Sequence, residues 1–168
     1  MTNLKSKGTF FTLYSWLPLI FLFLSVFNEF DLNYLNLDYF SFNFPFILIF
    51  YFTLKDLKNF DYFFVFVAGL FNDTVVGLPL GISSLSYILI CIATSYFRNI
   101  TIRPSPIKDW FYFLLIVSLI NSINYSVLTL FFSFNLVLMS YIVNTFFTFL
   151  FYIFFVSIFK FYLKSLDD

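Results

Sequence analysis

Gly69-Leu-Phe-Asn-Asp73-Thr-Val-Val-Gly77-Leu-Pro79-Leu-Gly81 decides how the rest of this chain is read. It lies between two apolar runs and holds three of the four glycines, together with a carboxylate flanked on both sides by long apolar sequence. Gly69, Asp73 and Gly77 are spaced i, i+4, i+8, so a helix places them on one narrow face. Such a face lets a neighbouring backbone come close around a single acidic group. Gly77-Leu-Pro-Leu-Gly81 cannot continue a regular helix, because glycine and proline weaken or break it. The stretch therefore predicts the end of one helix, a tight turn, and the start of the next.

The surroundings fix the environment of that hairpin. Of the 168 residues, 61% are hydrophobic and 11% charged, with a mean hydropathy of +0.93. A soluble domain carries about 25% charge, so the composition predicts an all-α integral membrane protein. Apolar runs suited to spans are 10–27, 39–54, 60–76, 82–97, 110–131 and 137–159. They cover about two-thirds of the chain, which predicts a single six-span membrane domain over 1–168 with no extramembrane domain. The first run follows Lys5 and Lys7 like a signal peptide. It is long for one, however, and Phe27-Asn28-Glu29 is no small-residue cleavage site, so a retained span loosened at Pro18 is expected.

Charge orients the spans. With a cytoplasmic N-terminus, all nine basic residues (Lys5, Lys7, Lys55, Lys58, Arg98, Arg103, Lys108, Lys160 and Lys164) fall inside. The outer loops carry no basic residue, and the first holds Glu29, Asp31 and Asp38. The positive-inside rule thus predicts six spans with both termini cytoplasmic. The basic loop 98–109 is expected to anchor at the anionic lipid headgroups of the inner leaflet.

Asp73 lies twelve residues beyond Asp61, which is about 18 Å into the bilayer at the helical rise. An ionisable group at that depth marks a functional site by default, whereas a purely structural Asp73 would snorkel outward or cap the hairpin. Two states are open to it. A neutral Asp73 would donate to a carbonyl or to an amide such as Asn121 or Asn124. An ionised one would accept bonds from the Gly77–Gly81 turn or from a partner. Ser118, Asn121, Ser122 and Asn124 in the fifth run, and Asn144 and Thr145 in the sixth, read as interhelical hydrogen-bond formers.

The residue inventory excludes several functions. The chain has no histidine and one cysteine, Cys91, which rules out a histidine-based metal site or triad and an intramolecular disulfide. Neither a nucleophile–base pair nor a phosphate-cradling loop appears in the sequence. A basic nucleic-acid patch is missing too, so no enzyme activity, cofactor or nucleic-acid partner is expected.

With topology and motif established, the chain resembles the bacterial rod shape-determining protein family MreD. The resemblance rests on Gly69, Asp73, Gly77, Pro79, Leu80 and Gly81, continues through Ser84, Leu85 and Tyr87, and reaches the basic loop after Tyr96-Phe97-Arg98. Pro45 in the second run and Asn144 in the last also match. The last run departs from the family pattern: Asn144-Thr-Phe-Phe-Thr148 lacks the proline that many members place there. The resemblance implies a non-enzymatic part in the cell-wall elongation machinery of the bacterial inner membrane. The implied partners are an MreC-like bitopic protein and, through it, MreB filaments and the glycan polymerase and transpeptidase that make peptidoglycan. Gly69, Asp73, Gly77, Pro79 and Gly81 would form its helix-packing or partner-binding motif. The rival reading is a substrate-capture component of a vitamin importer, whose six-span fold is similar. Such components carry small-xxx-small pairs in the first span, where this chain has only Ser25.

Overall fold

The computed structural model describes residues 16–25, 41–57, 60–101, 105–135 and 137–167, with side chains described as far as 161. They form six helices and, among the described residues, no strand. The helices are α1 (Trp16–Ser25), α2 (Phe44–Leu54), α3 (Tyr62–Val76), α4 (Ile82–Ile100), α5 (Pro106–Phe132) and α6 (Leu138–Asp167). Each falls on one of the six apolar runs.

The second run departs most from expectation. Its helix begins only at Phe44, because Asn43 caps it: the Asn43 carboxamide oxygen accepts the Phe46 N–H at 3.3 Å, and Pro45 sits in the first turn. Eleven residues make about 16 Å of helix, well short of a bilayer core of about 30 Å. Its role is central instead. Every residue from Pro45 to Phe52 is buried, as befits a helix that is apolar on all sides. The basic loop also contracts. Helix α4 runs on to Ile100, and α5 opens at Pro106 after Ser105, since the fixed φ of proline suits a first helical turn.

The other helices form an arc around α2. Helix α1 packs on α3 through the edge-to-face pairs Trp16–Phe64 and Phe23–Phe71. From there α3 packs on α4, α4 on α5, and α5 on α6, while α2 touches both α4 and α6. Aromatic contacts fill the centre. The Phe50 ring meets Phe113 at 5.0 Å and Tyr152 at 5.7 Å, and Tyr51 and Phe52 both meet Phe159. Trp110 seals α5 to α6, stacking on Phe149 at 4.3 Å and donating its indole N–H to the Phe149 carbonyl.

Much of the outer surface is apolar. On α5, Ile107, Phe111, Leu115, Leu119 and Ile123 are exposed at four-residue intervals, and on α6 Leu138, Ile142, Phe146, Leu150, Phe154 and Ile158 repeat the pattern. Both helices are long and apolar enough to cross a membrane. Only 33% and 17% of their most apolar windows are buried within the fold, whereas the core helix of a soluble protein would hide most of its apolar surface.

Candidate functional site: the Asp73 hairpin and its polar ties

Helix α3 ends where glycine permits it. Gly77 takes a left-handed φ of 74°, and the Gly77 and Leu78 N–H groups both donate to the Asp73 backbone carbonyl, the latter at 2.9 Å. The bond from Leu78 is the long closing bond of a Schellman motif, which satisfies carbonyls that the last helical turn leaves open. Four residues later Gly81 takes a φ of 105° and turns the chain into α4. Gly81 is the N-cap residue of α4 and has no side chain with which to cap it.

The Asp73 carboxylate supplies that cap from the preceding helix. One oxygen, Oδ2, accepts the Gly81 N–H at 2.7 Å, and the other, Oδ1, accepts the Ser83 N–H at 2.8 Å. The carboxylate is fully buried. A negative group at a helix N-terminus meets unsatisfied N–H donors and the positive end of the helix dipole. In surroundings that exclude water such charge-assisted bonds are worth about 1.5–3 kcal/mol each. Asn72 adds a third tie, donating from its side chain to the Ser83 hydroxyl at 2.9 Å.

Gly69 explains how the two helices come so close. A Cβ at this position would lie 2.6 Å from the Ser84 backbone nitrogen and 2.9 Å from its Oγ, and in hard contact with its Cα. The missing side chain lets the first turn of α4 lie directly on α3. The Ser84 hydroxyl is buried there without a hydrogen-bond partner among the described residues. Gly69, Asp73, Gly77 and Gly81 therefore each have a distinct geometric role in one hairpin. Pro79 sits between the two left-handed glycines, and its carbonyl accepts the Ile82 N–H at 3.3 Å.

The amides do not reach Asp73. Asn124 accepts from the Ser86 hydroxyl at 2.8 Å, tying α5 to α4, and Asn121 donates to the Thr145 hydroxyl at 2.7 Å, tying α5 to α6. Of the two expected states of Asp73, the hydrogen bonds are those of an acceptor held by the turn. Asn144 donates to Ser41 at 3.0 Å, and one turn further on Thr148 accepts the Asn43 N–H at 2.8 Å, so α6 grips the segment leading into α2. Ser118 and Ser122 face outward.

Sequence reasoning passed over several of these groups, Ser83, Ser86 and Arg98 among them. Ser83 stands in the first turn of α4 and Ser86 at the start of its second, and Ser83-Ser84-x-Ser86 just after Gly81-Ile82 is the pattern that marks them. Arg98, expected only as an anchor, donates to the Thr53 carbonyl at 2.9 Å and pairs with Asp56 at 2.7 Å, closing the C-terminal end of α2. Basic groups suit that position because the last carbonyls of a helix lack partners. Nothing in the sequence between residues 53 and 98 signals this contact.

Among the described residues no three of His, Cys, Asp and Glu come together as a metal site. With both its oxygens engaged by backbone N–H groups and no exposed surface, Asp73 organises the fold and offers no open face to a ligand. Comparisons with protein-family models, with curated proteins and with solved structures find no match for this chain.

Proposed function

We propose that this chain is a non-enzymatic, multi-pass protein of the bacterial inner membrane that serves the cell-wall elongation machinery, as the resemblance to the MreD family implies. In this reading the six helices are six membrane segments with both termini cytoplasmic, and α2 is a short segment sheltered by the others. The protein would bind an MreC-like bitopic partner and, through it, act with MreB filaments and the peptidoglycan polymerase and transpeptidase. The observation that supports this most is the hairpin: the residues carrying the resemblance form one closed unit with Asp73 at its centre. The apolar outward faces of α5 and α6 suit lipid contact.

The importer reading has less support. In the described part of α1, Ser25 is the one small residue, and its hydroxyl turns back to the Leu22 carbonyl at 2.6 Å. No small-xxx-small pair for docking an energising module is present in that segment.

The test combines topology with phenotype. Cysteines placed at Ser133, and at Asn33 outside the described residues, should label from the periplasm, while Ser105→Cys should label only after permeabilisation. Native Cys91 is buried and gives little background. Loss of the protein should round the cells, and tagged protein should recover a coiled-coil bitopic partner from detergent. Labelling of Ser105→Cys in intact cells would overturn the topology, and rod shape kept after deletion would overturn the function.

A further inference from the structure

Arg98 is consumed at the end of α2, but two other cations there are not. Lys55 is exposed, its Nζ lies 5.9 Å from the centroid of the Tyr51 ring, and no ion pair engages it among the described residues. The Tyr51 ring rests 5.3 Å from Phe159 of α6, and the next residue there is Lys160, also exposed and without an ion pair among the described residues. The Tyr51 hydroxyl is buried and has no hydrogen-bond partner among the described residues. Lys55 thus lies at the Tyr51–Phe159 contact, and Lys160 follows Phe159 in α6.

Asp109, in the first turn of α5 and before the apolar run that starts at Trp110, lies within electrostatic range of both lysines. Lys55 and Lys160 are the cations that act on its carboxyl. Neither lysine comes within ion-pair distance of it, so their charges stay largely unneutralised. Beside Lys160 the surface of α6 is bare and apolar, with Ile158 and Phe161 exposed.

We propose that the adjoining ends of α2, α5 and α6 bind the phosphate headgroup of a membrane phospholipid, with the phosphate between Lys55 and Lys160 and the acyl chains along the exposed face of α6. This rests on the reading of the chain as a membrane protein, in which these ends lie at the inner leaflet. Ammonium groups are point-charge partners for phosphate. The apolar flank favours a lipid over a free anion, and Asp109 is a built-in competitor for the same cations.

The test uses the purified full chain in detergent, following the thermal unfolding midpoint during titration. Dioctanoyl phosphatidylglycerol should stabilise it saturably, and dioctanoylglycerol, which lacks the phosphate, should not. Replacing both lysines by alanine should weaken the apparent affinity about twenty-five-fold, from two surface cations each contributing about a factor of five. Lys108→Ala, on the same turn as Asp109, should leave it unchanged. Asp109→Asn should tighten binding, a direction that mere loss of structure would not produce. Equal affinity in the double lysine variant, or weaker binding in Asp109→Asn, would overturn the site. Equal affinity for inorganic phosphate would overturn the lipid as its occupant. The readout involves neither cell shape nor partner recovery, so its failure is separate from failure of the elongation reading.

Discussion

Asp73 caps the helix that Gly81 begins. Gly81 has to be glycine to take its φ of 105°, and so it cannot carry the side chain that a helix start calls for. Eight residues earlier, the Asp73 carboxylate accepts the N–H groups of Gly81 and Ser83, while its own carbonyl closes α3. One residue ends a helix with its backbone and starts the next with its side chain. The turn between them is defined from both ends.

Asp73→Asn should be damaging though not fatal. A carboxamide offers one oxygen where two N–H groups need acceptors, and it turns an NH2 toward the other donor. The expected loss is about 1–3 kcal/mol, the cost of one buried unsatisfied donor. Asp73→Leu abandons both donors and should lose roughly twice that. Thermal unfolding in detergent orders the variants, and hydrogen exchange at Gly81 and Ser83 localises the damage. A Leu variant with the parent's midpoint would show that the cap is dispensable.

At Gly69 the obstacle is backbone. The nearest atoms to an added Cβ belong to the Ser84 main chain, which cannot rotate aside as a side chain could. Gly69→Ala should therefore cost about 1–3 kcal/mol as an overpacked contact, and Gly69→Leu should separate α3 from α4. Leu70→Phe, next to it on a half-buried position, should be mild. If Gly69→Ala unfolds no earlier than Leu70→Phe, the close contact is not what glycine is there for.

The hairpin was legible because its requirements are local. Gly77 and Gly81 announce a turn, and the i, i+4 spacing places Gly69 and Asp73 on one face whatever the remaining helices do. The partner of Asp73 was less legible. Asn121 and Asn124 were the amides to which a neutral Asp73 would donate, yet Ser86 and Thr145 engage them first, and hydroxyls on neighbouring helices have no signature in a single sequence. The extent of α2 was hidden for a related reason. Residues 39–54 are apolar enough for a full span, and only Asn43 followed by Pro45 shows where the helix starts. Arg98 reaches Thr53 across forty-five positions of sequence, a contact that only the assembled helices create.

The two turn glycines should respond differently. Neither has a neighbour within 4 Å of its missing Cβ, so substitution meets backbone strain and no clash. Gly77, at a φ of 74°, lies near the left-handed region that asparagine tolerates, whereas Gly81, at 105°, lies further from it. Gly77→Asn should cost less than about 1 kcal/mol, and Gly81→Asn more, up to about 3 kcal/mol. The reverse order in unfolding midpoints would mean that the φ values do not govern this turn.

Arg98 and Asp56 give the clearest case of two bonds of unequal worth. The ion pair is short at 2.7 Å, but Asp56 is 76% exposed. Exposed pairs contribute about 0–1 kcal/mol because water and salt screen them. The bond from Arg98 to the Thr53 carbonyl, at 2.9 Å, is partly buried and ends the helix at the centre of the fold. Asp56→Ala should accordingly shift stability by less than about 1 kcal/mol, and raised salt should mask even that. Arg98→Ala leaves the last carbonyls of α2 without their cation and should cost about 1.5–3 kcal/mol, the range for hydrogen bonds to charged groups. Arg98→Lys keeps the charge but loses the rigid guanidinium whose Nη1 meets both the Thr53 carbonyl and Asp56, and should fall between them. Thermal unfolding of the three variants at low and high salt separates the contributions. Equal losses for Asp56→Ala and Arg98→Ala would assign the whole effect to the surface pair, and the α2 carbonyl would then need no partner from α4.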